Sequence, residues 1–145
     1  MIRTAEHDDI IHFLRMGRNF AEAAGEPFDR ESLVQHLEWI IDTENTTALV
    51  AETDVGVVGI IAGICFPTFW DNSKITATEI WWWVEEGARK GGVGTALMDA
   101  LESWAEARGA FRISMMTIAG VAPGVEKIYA ARGYRLHEQT YLKEF

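Results

Sequence analysis

The 145-residue chain is short of cysteine, of proline and of positive charge: one Cys, three Pro, and 13 Lys and Arg against 22 Asp and Glu. Each shortage excludes something. A single thiol, Cys65, builds no disulfide framework and fits a reducing compartment. It lies in an apolar run without a cue for thiolate activation, so an inert buried thiol is expected. A formal charge of −9 argues against a nucleic-acid partner, whose phosphates call for a basic face. No apolar run has the length of a membrane span, so no membrane partner is expected. The opening MIRTAEHDDI lacks a basic region followed by an apolar stretch, so no signal peptide and a cytoplasmic location are expected. His7, His12, His36 and His137 are scattered without metal-ligand spacing, so no metal site is expected.

What is present is bulky and apolar. The chain is 48% hydrophobic and carries six Trp and seven Phe, enough for the core of one domain spanning 1–145. The acidic balance would concentrate a cationic small molecule or peptide; the plainer alternative is that it serves solubility.

Hydrophobic periodicity divides the chain. IRT reads as a short strand. Asp8 or Asp9 is a candidate cap for a helix running to about Ala23, and Asp29 caps a second helix to about Ile41 with Leu33, Val34, Leu37, Ile40 and Ile41 on one stripe. TTALVAET and VVGIIAGICF form a hairpin around DVG. PTFWDNSK reads as a polar-aromatic loop and ITATEIWWWV as a third long strand. A glycine turn opens a helix from about Gly92 to Arg108, AFRISMMTI is a strand, and Val125–Arg132 is a short helix. YRLHEQTYLKEF alternates and is expected to close the chain as one strand or a bent pair. The strand, glycine-turn helix and strand make a crossover unit, which predicts parallel neighbours in an otherwise antiparallel sheet.

The turn EEGARKGGVG carries the functional argument. Glycines ahead of a helix N-terminus let backbone amides approach an anion closely. A P-loop fails, because no lysine–hydroxyl pair opens the helix; a dinucleotide fingerprint is weak, because the preceding strand is not the first. R-x-x-G-x-G fits, with Arg89, Gly92 and Gly94.

With Val84 five residues ahead of Arg89, the two early helices, and EKIYAARGY further on, the sequence resembles the GNAT superfamily of N-acetyltransferases. The resemblance implies an α/β fold: a mixed, mostly antiparallel sheet with a parallel, splayed central strand pair, flanked by helices. It implies acetyl-CoA as cofactor, with its pyrophosphate on the amides of Lys90, Gly91, Gly92, Val93, Gly94 and Thr95, and charge added by Arg89 or Lys90. Trp82, Trp83 and Val84 form the cofactor-facing strand end, where strands splaying after Trp83 leave the Val84 amide free for the pantetheine or acetyl oxygen. It also implies a homodimer through the last strand. Three positions depart from the family pattern: Glu86 replaces a common proline, Lys90 a common glycine, and AGVAPG stands where an asparagine is frequent.

Acetyl transfer to a primary amine needs a base, a polarised carbonyl and an acid for the departing thiolate. By resemblance, Glu79 is the base, acting directly or through a water, and Tyr129 the acid. Alternation puts Glu79, Trp81 and Trp83 on one strand face, where indoles would raise the carboxyl pKa. Glu85 and Glu86 are rival carboxylates. Phe28, Phe69 and Trp70, assigned to the first two helices and the loop before the third long strand, and Trp81 on that strand are candidate acceptor-binding residues. The alternative function is a non-catalytic acyl-CoA-binding or protein-interaction module on the same fold.

Overall fold

The computed structural model describes residues 1–145. Five strands form one sheet in the order β1 (Ile2–Thr4), β2 (Thr46–Thr53), β3 (Gly56–Thr68), β4 (Asp71–Val84) and β5 (Ala110–Ser114). Every pairing is antiparallel except β4 with β5. Four α-helices flank it: α1 (Ile10–Ala24), α2 (Arg30–Asp42), α3 (Val93–Ala107) and α4 (Val125–Ala131). The expected mixed sheet with its parallel crossover is therefore observed.

Two cores follow from the two sheet faces. Phe13 and Met16 of α1 and Leu37 and Ile40 of α2 cover one face, packed on Val50 and Ile60, with Trp81 and Trp83 beside them. Leu97, Met98 and Leu101 of α3 cover the other, with Ile61, Val84 and Tyr129. Small residues set the approach of α3: a Cβ on Gly63 would lie 2.7 Å from the Leu101 side chain. Asp29 caps α2 as expected, accepting from Ser32 N at 2.8 Å. Asp9 stands at the start of α1, but its carboxylate turns backward, to Glu6 N at 2.8 Å and to both arms of Arg3.

Two expectations fail. PTFWDNSK is not a loop: β3 and β4 run on to a tight turn at Phe69-Trp70. The Thr68 hydroxyl closes that turn, donating to Asp71 O and accepting from Asp71 N, while Asp71 Oδ1 accepts from Ser73 N and Oγ. Polar side chains there bond locally and hold a hairpin. YRLHEQTYLKEF, in turn, forms no strand. Tyr134 N bonds back to Tyr129 O, and beyond it Leu136, Tyr141, Leu142 and Phe145 stand exposed. Alternation supplies strand propensity only; a strand exists when a neighbour completes its ladder, and this segment has none.

Candidate functional site

The site begins where β4 and β5 part. Their pairing runs from Ile75–Ala110 to Thr78–Ser114 and stops, while β4 continues to Val84. The splay thus opens well before Trp83, and it leaves the β5 side of Glu79 through Val84 without a ladder.

Glu79 sits at the apex of that opening. The expected alternation breaks just beyond it: Trp81 pairs with Ala62 and Glu79 with Gly63, so Ile80 is an unmatched residue, a β-bulge. The bulge shifts the strand's parity. Trp81 and Trp83 lie against α1, where Phe20 meets both rings edge-on at 6.3 and 5.9 Å. Glu79 shares a face with Ala77 and its partner Gly63, toward α3. It is therefore on the opposite face from Trp81 and Trp83, and the sequence reading of that face is corrected.

On this face Glu79 meets Tyr129. The carboxylate is 5% exposed and accepts from Met116 N at 3.1 Å; the Tyr129 hydroxyl donates to Met116 O at 2.8 Å. Burial pushes the Glu79 carboxyl up to about 7, against a smaller downward pull from the Met116 amide. Burial also raises the Tyr129 phenol, helped by the nearby charges of Glu79 and Glu126, so the phenol keeps its proton. The Tyr129 ring packs between Trp82 at 6.2 Å and Tyr134 at 5.5 Å. Arg132 and the Tyr134 hydroxyl both bond Glu102 of α3, which fixes α4 in place.

The glycine turn is more structured than its composition suggests. Glu86–Gly91 is a 3₁₀ turn, Gly92 follows with φ +75°, and α3 starts at Val93. The first bond into the helix runs from Ala96 N to Gly92 O at 3.0 Å, so the amides of Val93, Gly94 and Thr95 have no intrahelical acceptor. They face the helix's positive end. Gly91 has open space where a side chain would stand and a Cβ on Gly92 would meet only the Thr95 hydroxyl oxygen at 3.8 Å, whereas a Cβ on Gly94 would lie 3.1 Å from the Trp82 ring. The anion cradle thus narrows to Gly92–Thr95, with exposed Lys90 beside it. Arg89 Nε donates to Val84 O at 2.9 Å and its guanidinium lies 4.7 Å over the Trp83 ring. These features fit a diphosphate with a thioester arm reaching down the opening toward Glu79.

Other candidates fall away from this centre. Phe69 and Trp70 pair edge-to-face with each other at the hairpin tip, at the far end of β4 from the glycine turn, and are almost fully exposed. Phe28 lies under Arg18 at the α1–α2 connection. Glu85 is neutralised structurally, accepting from Arg15, Asn19 and the Trp83 indole. Cys65 is buried and its thiol pushed up by desolvation, in keeping with an inert role. Sequence reasoning missed Met116, whose main chain joins the two central side chains; a backbone contact leaves no mark in residue type.

Comparison with known proteins agrees with this fold. No curated protein sequence matches the chain. Among solved structures, a transcriptional regulator from Bacillus halodurans superposes with a TM-score of 0.83 at 21% identity, covering 100% of this chain and 99% of that one. Ribosomal-protein-alanine N-acetyltransferase from Brucella melitensis gives 0.78 at 19%, covering 100% and 99%. A predicted acetyltransferase from Clostridium acetobutylicum, solved with acetyl-CoA, gives 0.79 at 17%, covering 99% and 95%. No helix is long and apolar enough to cross a membrane. The sequence pattern of the acetyltransferase (GNAT) family matches residues 13–134, and the chain belongs to that family.

Proposed function

We propose that residues 1–145 form one acetyl-CoA-dependent N-acetyltransferase domain that acetylates a primary amine by direct attack in a ternary complex. The observation that carries this reading is the buried Glu79 carboxyl at the parting of β4 and β5, joined through Met116 to Tyr129. Acetyl-CoA supplies the acetyl group as a thioester. The Gly92–Thr95 amides and Lys90 hold its diphosphate, and the unladdered run from Glu79 to Val84 takes the arm. Glu79, with a carboxyl poised near 7, accepts the amine proton directly or through a water. The nitrogen–carbon bond forms as the carbon–sulfur bond breaks, and the Tyr129 hydroxyl proton goes to the departing sulfur. The reading includes a cytoplasmic location and homodimer formation through the segment after Gly133.

Calorimetric titration with acetyl-CoA, followed by turnover on an amine panel, tests it. Binding with turnover supports the enzyme. Tight binding without turnover on any amine leaves only an acyl-CoA-binding module, and absence of binding removes both.

A further inference from the structure

We propose that the cavity between the outer face of α1 and the start of α2 is an anion-holding subsite, and that the acceptor amine carries a carboxylate or phosphate which this subsite takes. The inference rests on the acetyltransferase reading above and names its substrate class.

The cavity measures about 360 Å³ and is lined by three arginines, Arg15, Arg18 and Arg30, with no carboxylate among its walls. The arrangement follows from the local fold. Arg15 and Arg18 stand with Ile11 and Leu14 on one α1 face, spaced three and four apart. Gly25, with φ +69°, ends α1 and reverses the chain. Phe28 then packs back toward Gly17, 3.6 Å from the position of the missing Cβ, which brings Arg30, the first residue of α2, over the same hollow.

Two of the three charges there are unspent. In a chain with nine more negative than positive groups, Arg18 and Arg30 take part in none of the ion pairs. Arg18 is instead held 5.7 Å over the Phe28 ring, which presents its fork in a fixed place. Arg15 is anchored by Glu85 and Val57 O. The two guanidinium forks without a counter-ion, those of Arg18 and Arg30, match the planar geometry of carboxylate and phosphate oxygens. Ile11, Leu14 and Phe28 add an apolar wall for the ligand's body. Side-chain contacts tie the helix that walls the hollow to the end of β4: Arg15 and Asn19 grip Glu85, the residue after β4, and Phe20 of the same helix packs on Trp81 and Trp83. The local charge is opposite in sign to that of the chain, so a cationic acceptor suggested by net charge alone is disfavoured here.

The experiment compares matched amines, each with and without a carboxylate, on the wild-type protein and on the Arg18→Gln/Arg30→Gln double variant, with calorimetric melting as the check on folding. Inorganic phosphate at constant ionic strength is titrated in parallel and read as a shift in Tm. The expected result is a KM about tenfold lower for the carboxylated partner in the wild type, lost in the variant, with a phosphate-induced rise in Tm larger in the wild type than in the variant, since the Gly92–Thr95 amides take phosphate in both. Equal KM values for the two partners in the wild type, or the same phosphate shift in both proteins, overturn the proposal. A phosphate shift that depends on the arginines, with no turnover of any amine, sinks the acetyltransferase reading and the acceptor assignment while the anion site itself stands.

Discussion

Glu79 and Tyr129 hold the two ends of one residue. The carboxylate takes the Met116 N–H at 3.1 Å and the phenol donates to the Met116 carbonyl at 2.8 Å. The strand that carries one, the helix that carries the other and the chain leaving β5 are thereby fixed together at the mouth of the cleft.

The first prediction concerns pH and activity. With the Glu79 carboxyl near 7, kcat/KM falls about tenfold per pH unit below about 7, where the base is protonated. Glu79→Gln removes that limb and lowers the rate by roughly 10²- to 10⁴-fold. A pH–rate profile checks both. An acid limb that stays in place in the variant would assign the titration to another group.

The same group sets a stability prediction. Its folded value near 7 lies above the 4.5 of a free carboxyl. Between those values the folded protein holds a proton that the unfolded chain has released, so stability declines as pH rises from about 4.5 to about 7, and stays lower above that. The full span is worth about 3 kcal/mol. Glu79→Gln is therefore expected to melt higher than wild type at pH 8 and to lose that advantage at pH 4, as read by calorimetry.

Tyr129→Phe keeps the ring between Trp82 and Tyr134 and deletes only the hydroxyl. We expect kcat to fall roughly 10²-fold, acetyl-CoA affinity to hold, and stability to drop by about 1 kcal/mol for the lost bond to Met116. Unchanged turnover would remove Tyr129 from the chemistry.

Three of the turn's four glycines, Gly91, Gly92 and Gly94, should respond differently. Gly91→Ala meets open space and is expected to leave folding and acetyl-CoA binding intact. Gly92→Ala forces a side chain onto φ +75° and is expected to cost about 1 kcal/mol of stability. Gly94→Ala presses a methyl 3.1 Å from the Trp82 ring, so the helix start shifts and acetyl-CoA affinity drops. Melting curves and titration calorimetry on the three variants separate these outcomes.

Much of this was legible in the residues. Glycines before an amphipathic pattern marked the turn, Asp29 marked a helix start, and the order of elements marked the crossover. The face of Glu79 was not legible. A bulge is set by how two strands meet, and Ile80 looks like any other strand residue. Nor was the bond that Arg89 Nε donates to its own chain at Val84 O. The last twelve residues show the converse case: pattern without a neighbour gives no strand.

The bulge at Ile80 also bears on which sequence changes this protein can tolerate. Pairing Ile80 into the ladder at unchanged length would carry Glu79 through the sheet, onto the side of α1 and away from Tyr129, whereas loss of that one codon would leave Glu79 opposite Gly63 and on the side of Tyr129. A descendant of this gene that is one residue shorter here would therefore keep its carboxyl on the same side, and the feature that cannot change is the match of Glu79 to Gly63.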